Sequence, residues 1–271
     1  MDLFYVKKHE KIFMRAFIIV VALIWIIPVY SALQKSLEID GLSNYAYVLT
    51  QDMGGVSIFI NFRNSFLIAI GHTVLVLLIG TIAAFSFSKI KFIGKEIIYN
   101  IVLMCLAIPG TVVLLPFFFT LKKIGIYDTL WGVILPEVTM TLPFAVLMLR
   151  NFFDSLPDSL MESALIDGAN MPTIFSKIFL PLSQPALIGL GVLAIMWSLQ
   201  DYLFPTMFIT KKTLTTATVA IYSLKGFFGF TPLNLARYSA ALVLLGVPAV
   251  LIFAFAQKFI INGIVSGSLK E

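Results

Sequence analysis

Residues 65–87 read SFLIAIGHTVLVLLIGTIAAFSF, a run without a single Asp, Glu, Lys or Arg. Wound as a helix at 1.5 Å per residue it reaches roughly 35 Å, enough to cross about 30 Å of hydrocarbon. The polar and apolar residues do not alternate, as the strands of a membrane barrel would require. Five further apolar runs have comparable length, at about 12–32, 97–121, 129–149, 184–208 and 238–261. The pattern predicts an all-α integral membrane protein with six transmembrane helices, the whole chain 1–271 forming one domain.

Composition points the same way. Of 271 residues, 59% are hydrophobic and only 12% charged, against about 45–50% and about 25% in a soluble domain. This excludes soluble enzymes and nucleic-acid binders, and makes membrane lipid the first partner. The net charge of +5 and pI of about 9.2 come from Lys and Arg scattered between apolar runs, which reads as orientation and headgroup contact. Cys105 is the only cysteine, so no intrachain disulfide forms, and His9 and His72 are too few for a His-based metal site. The first run has a basic start like a signal peptide, but it is too long and lacks a small-residue cleavage site. It is kept as a helix.

An even number of spans puts both termini on one side. Lys7, Lys8, Lys11 and Arg15 precede or open the first run, and Lys89, Lys91 and Lys95 crowd the short 88–96 connection. Such clusters favour the cytoplasm, so both termini are expected there. The 150–183 loop is then internal, and the 209–237 loop faces outward.

Within the spans, the third run carries Pro109 and Pro116 and the fourth Pro136 and Pro143, so kinked or broken helices around a cavity are expected. Glu137 lies about 12 Å into the fourth run, and an ionisable group at that depth is a candidate for the solute pathway. Its alternative is a carboxyl hydrogen-bonded between helices. Gln200 and Asp201, near the end of the fifth run, and Asn64, at the start of the second, are the other pathway candidates. His72 reads as an interior hydrogen-bonding residue.

The 154–183 stretch, in the longer inner loop, is the most informative part of the chain. Pro157 suits a first helical turn, Ser159 and Glu162 have capping-box spacing, and Gly168 is a natural helix stop. A second short helix can begin at Asn170-Met171-Pro172 and break at Leu180-Pro181. Two short amphipathic helices joined at a glycine need a partner groove to cover them.

Here the residues resemble a known family. Glu162-Ser163-Ala164, then Asp167-Gly168-Ala169, then Ile178-Phe179-Leu180-Pro181 is similar to the EAA loop of ABC importer permeases: Glu-Ala-Ala, three residues, Gly, nine residues, Ile-x-Leu-Pro. Ser163 replaces the first alanine. Asn64-Ser65, Pro116 with the 121–129 stretch, Leu142-Pro143-Phe144 and the tail from Gln257-Lys258-Phe259 through Gly267 resemble the MalG-like branch, which imports carbohydrates. That branch has Trp-Asn-Asp/Glu where this chain has Leu199-Gln200-Asp201. The resemblance implies a type I ABC importer permease bundle with a cytoplasmic coupling helix, in a bacterial-type cell membrane.

It also implies the partners: a second homologous permease, a dimer of ATP-binding subunits and an extracytoplasmic solute-binding protein. No G-x-x-x-x-G-K-[ST] occurs, so this chain is no enzyme and ATP, the only cofactor-like molecule involved, is bound by the partner subunits. In this reading Glu162 contacts the ATPase, Ala164 allows close approach and Gly168 permits the turn, with Ser163, Asp167, Ala169, Ile178 and Pro181 completing the coupling loop. Lys225 and Gly226-Phe227-Phe228-Gly229, in the outer loop, are candidates for contact with the binding protein. Two other functions fit the hydrophobicity: an ion-coupled secondary transporter using Glu137 and Asp201 without an ATPase, and a scaffold that moves no solute. Neither accounts for the placed loop.

Overall fold

The computed structural model describes residues 8–52, 55–228 and 231–268, and among these the chain is almost entirely helical, with no strand. In order come α1 (Lys8–Ser36), the short α2 (Ser43–Thr50), α3 (Ile58–Lys89), α4 (Lys95–Met104), α5 (Gly110–Lys123) and α6 (Trp131–Ser155). The 156–183 connection holds α7 (Ser159–Ile166), α8 (Met171–Ile174) and α9 (Leu180–Leu182), and α10 (Gln184–Gln200), α11 (Leu203–Phe208), α12 (Ala217–Phe228) and α13 (Pro232–Ser268) follow. Helices α1, α3, α6 and α13 are each long and apolar enough to cross a membrane unbroken. Two bent pairs, α4 with α5 and the 171–182 stretch with α10, bring the possible spans to six.

Two of the expected runs are interrupted for local reasons. The 97–121 run is broken: α4 and α5 meet at 105°. Pro109 has no N–H to continue the ladder and holds an extended ψ of 137° just before α5. The 184–208 run stops at Gln200, where Asp201 turns extended (ψ 128°) and its Oδ1 accepts the Leu203 amide at 2.9 Å to start α11. Proline does not decide every case, since α6 runs through Pro136 and Pro143 without interruption.

The core lies where α3, α6 and α10 meet the α7–α9 loop. Ile68, Val76, Leu149, Ile174 and Leu190 are fully or almost fully buried there. Phe85, Phe153 and Phe179 make an aromatic triangle at its inner end, with centroids 5.3–6.2 Å apart. Lipid is as apolar as leucine, so tight packing of small residues holds such helices together. Gly80 on α3 illustrates it: a Cβ there would sit 3.1 Å from the Ala145 Cβ of α6. Gly80→Leu is therefore expected to destabilise the bundle by about 1–3 kcal/mol through overpacking. Gly246→Ala, with open space around it, is the control; melting of the purified protein in detergent distinguishes them. A second cluster, Val48, Ile58, Ile221, Leu224, Ala240 and Ala241, joins α2, α3, α12 and α13 at the opposite end. Helix α1 packs along α13 and leaves most of its own surface open.

Candidate functional site

The loop between α6 and α10 is built from α7 outward. Its N-terminus lacks the expected capping box: Asp158 occupies the cap position and no side chain caps the helix. The reason is tertiary. The Asp158 carboxylate is drawn 2.6 Å from Lys89 Nζ at the end of α3, and Lys89 also donates to the Leu156 carbonyl at 3.0 Å. Lys89 is buried and its ammonium lies 5.6 Å from the Phe179 ring centroid. The hydrogen bond and charge of Lys89 hold the Asp158 carboxyl below its ordinary value.

The other end of α7 closes on Gly168, which adopts φ +81°. Gly168 N–H donates to the Leu165 carbonyl (3.0 Å) and Ala169 N–H to the Ala164 carbonyl (2.9 Å), the paired closure that satisfies the last carbonyls of a helix. Asn170 then caps α8, its side chain accepting the Thr173 amide at 3.0 Å. The path does not break at Leu180-Pro181: a π-helical stretch, Phe175–Phe179, widens the turn ahead of Pro181 and α9 continues to Leu182.

This arrangement sorts the loop residues by face. Glu162, Leu165 and Ile166, three and four positions apart, share the outer face, with Ile166 87% exposed. Ser163, Asp167, Gly168 and Pro181 are also exposed, while Ala169 and Ile178 are half-buried. Ala164 corrects the expectation set for it: it is buried against the chain's own core. Its small side chain lets α7 lie close to the bundle, not to a partner.

Inside the bundle, α3, α6, α10 and α11 surround a cavity of about 260 Å³ lined by His72, Glu137, Met140, Thr141, Trp197, Ser198, Gln200, Asp201 and Phe204. Glu137, 5% exposed, accepts the Ser198 hydroxyl at 2.5 Å through Oε2, and its Oε1 has no donor. The Asp201 carboxyl faces it, with Oδ2 likewise unpaired. His72 Nε2 lies 2.9 Å from Thr141 Oγ1, which donates to the Glu137 carbonyl. Gln200 borders both this cavity and a second, of about 280 Å³, lined by Phe62, Ser65, Leu199, Thr218 and Pro248 among others.

Asn64 does not join them. Its amide hydrogens go to the Thr213 and Thr215 carbonyls at 2.9 and 3.1 Å, Asn61 donates to the Thr215 carbonyl at 2.9 Å, and Ser65 Oγ accepts the Ala217 amide at 3.0 Å. These side chains clamp the irregular 213–217 backbone to α3, so Asn64 supports a wall and borders neither of these two cavities. Lys225, Gly226, Phe227 and Phe228 lie in the last turns of α12, and Gly229 lies outside the described residues.

Sequence reasoning missed Lys89, Ser198 and Trp197. Lys89 looked like one more orientation charge; its position directly after a charge-free span was the available signal. Ser198 and Trp197 carried none, because their importance comes from facing Glu137 and the cavity.

Residues 76–265 match the family described as binding-protein-dependent transport system inner membrane component. The chain is 32% identical over 209 residues to the inner membrane ABC transporter permease protein YcjP of Escherichia coli (strain K12), covering 77% of this chain and 74% of that one. It is 30% identical over 207 residues to the trehalose transport system permease protein SugB of Mycobacterium tuberculosis (strain CDC 1551 / Oshkosh), covering 76% and 75%. In fold it resembles a chain from the crystal structure of a bacterial ABC transporter involved in the import of the acidic polysaccharide alginate, with a TM-score of 0.79 at 18% identity, covering 94% of this chain and 98% of that chain. With the family match spanning most of its length, the chain belongs to the inner membrane components of binding-protein-dependent transport systems.

Proposed function

We propose that the chain is the permease subunit of a carbohydrate importer, moving solute across the cell membrane by alternating access while partner subunits bind and hydrolyse ATP. The observation that carries this reading is the face of α7. Glu162, Leu165 and Ile166 are presented outward on a helix fastened to the bundle by Ala164 beneath it and Lys89 beside it. A charged residue flanked by exposed apolar ones on a rigid helix suits a groove on another protein. The ATP-binding dimer is the partner assigned to that groove. A second, homologous permease completes the pathway, and the α12 end, with Lys225, Gly226, Phe227, Phe228 and Gly229, is assigned to the solute-binding protein outside. Both termini are then cytoplasmic, on the side of the Lys-rich 88–96 connection.

The carbohydrate assignment draws on relatives such as the trehalose permease protein. Glu162→Lys tests the coupling. Reversing a charge at a docked interface costs several kcal/mol when it meets like charge, so ATP-dependent uptake in proteoliposomes holding the full complex should fall by at least about tenfold. Membrane insertion should be unchanged. Wild-type uptake by this variant, or uptake by this chain alone without ATP, would overturn the reading; the second result would favour the ion-coupled alternative.

A further inference from the structure

The cavity beside Glu137 holds chemistry that loop mechanics do not use. Two carboxyl oxygens, Glu137 Oε1 and Asp201 Oδ2, face into it without a donor from any other residue. The two carboxyls are hydrogen-bond partners of each other, a contact that leaves further lone pairs on both free to accept hydrogens from whatever enters the cavity. Asp201 is held in place by its bond to the Leu203 amide, and Glu137 by Ser198. Both are therefore fixed before any solute arrives. Trp197, partly exposed, stands on the wall with its ring edge-on to Phe144 at 5.2 Å, and Gln200 adds both donor and acceptor capacity. No Lys or Arg lines the space. At about 260 Å³ it is smaller than the roughly 300–1,000 Å³ of pockets that enclose drug-sized ligands, which suits one sugar ring.

We propose that this cavity is a subsite for a single ring of the transported carbohydrate, selecting rings that present hydroxyl or ammonium donors and rejecting rings that carry a carboxylate. The proposal rests on the carbohydrate-importer reading above. Hydroxyl or ammonium hydrogens bond the remaining lone pairs of the two carboxyls, while the apolar face of the ring lies on Trp197. A carboxylated ring brings more acceptors to an acceptor-rich wall with no Lys or Arg to receive them, which is how a site discriminates against the wrong ligand.

The test uses the assembled importer in nanodiscs without the binding protein, so that the permease alone selects. Tryptophan fluorescence is titrated with maltotriose, with the amino sugar chitotriose and with trigalacturonate. The neutral and amino probes should bind, and trigalacturonate should bind at least about tenfold more weakly. Glu137→Gln and Asp201→Asn should each narrow that gap, and Trp197→Phe should remove the signal. Equal binding of all three probes, no binding of any, or an unchanged ranking in both carboxamide variants would overturn the proposal. The importer reading fails on a different signal: ATPase activity that no sugar-loaded cognate binding protein stimulates.

Discussion

Gly168→Pro should leave the chain in the membrane and reduce ATP-coupled uptake to background. Gly168 needs φ +81° and its own N–H to end α7. Proline offers neither, since its ring holds φ near −65° and its nitrogen has no hydrogen. The closure that reverses the chain between Ile166 and Asn170 is lost, at a local cost of about 3 kcal/mol, and the Glu162 face turns away from its position. A side chain at 168 would meet nothing within 4 Å, so the effect comes from the backbone alone. A graded series follows: Gly168→Asn, which tolerates the left-handed region, should stay near wild type, and Gly168→Ala, which keeps the N–H but strains φ by about 1–2 kcal/mol, should fall between. Uptake in proteoliposomes, with the amount in the membrane fraction measured alongside, reads the series. Wild-type uptake by the proline variant would remove Gly168 from the coupling mechanism.

The second large effect is expected at Lys89. Lys89→Met keeps the aliphatic stem and deletes the donors that reach Leu156 and Asp158. The shielded bond from a charged donor to the Leu156 carbonyl is worth about 1.5–3 kcal/mol, and the cation over Phe179 is lost with it. The α7–α9 loop should loosen, so that ATP hydrolysis continues while uptake falls. Asp158→Asn should do less, because Asp158 is mostly exposed and exposed ion pairs contribute little. The pH dependence has a definite sign. The folded-state value of Asp158 lies below 3.8, so the stability of the pair is present above that ordinary value and lost as pH falls through the lowered one. The Lys89→Met defect should be constant across the neutral range. A defect that vanishes on moderate acidification, or hydrolysis lost together with uptake, would contradict this role.

Reading the chain locally went far where the chemistry is local. Charge-free length made α3 evident, and a glycine after an amphipathic turn marked the end of α7. Asn170 before Met171-Pro172 marked the start of α8. What escaped depends on partners far apart in sequence. Asp158 caps nothing because Lys89, 69 positions earlier, competes for its carboxylate. The bonds of the Asn64 amide go to carbonyls 149 and 151 positions away, which no local pattern shows. Ala164 could face either way on a short helix, and only the packing of α7 on the core decides. Glu137 was visible as an anomaly in an apolar run, yet its pairing with Ser198 and its confrontation with Asp201 arise only when α6 and α10 come together.

The clamp at Asn61 and Asn64 and the pin at Lys89 belong to one helix. Among the four unbroken spans, α1, α6 and α13 contain interior prolines, and α3 contains none. About 42 Å of continuous helix separate Asn61 from Lys89. A connecting rod of that kind has no joint in which to dissipate a push. Displacement of α7 at one membrane face reaches the 213–215 backbone at the other through a single stiff member, so the two mouths of the subunit are geared to each other before any second chain takes part.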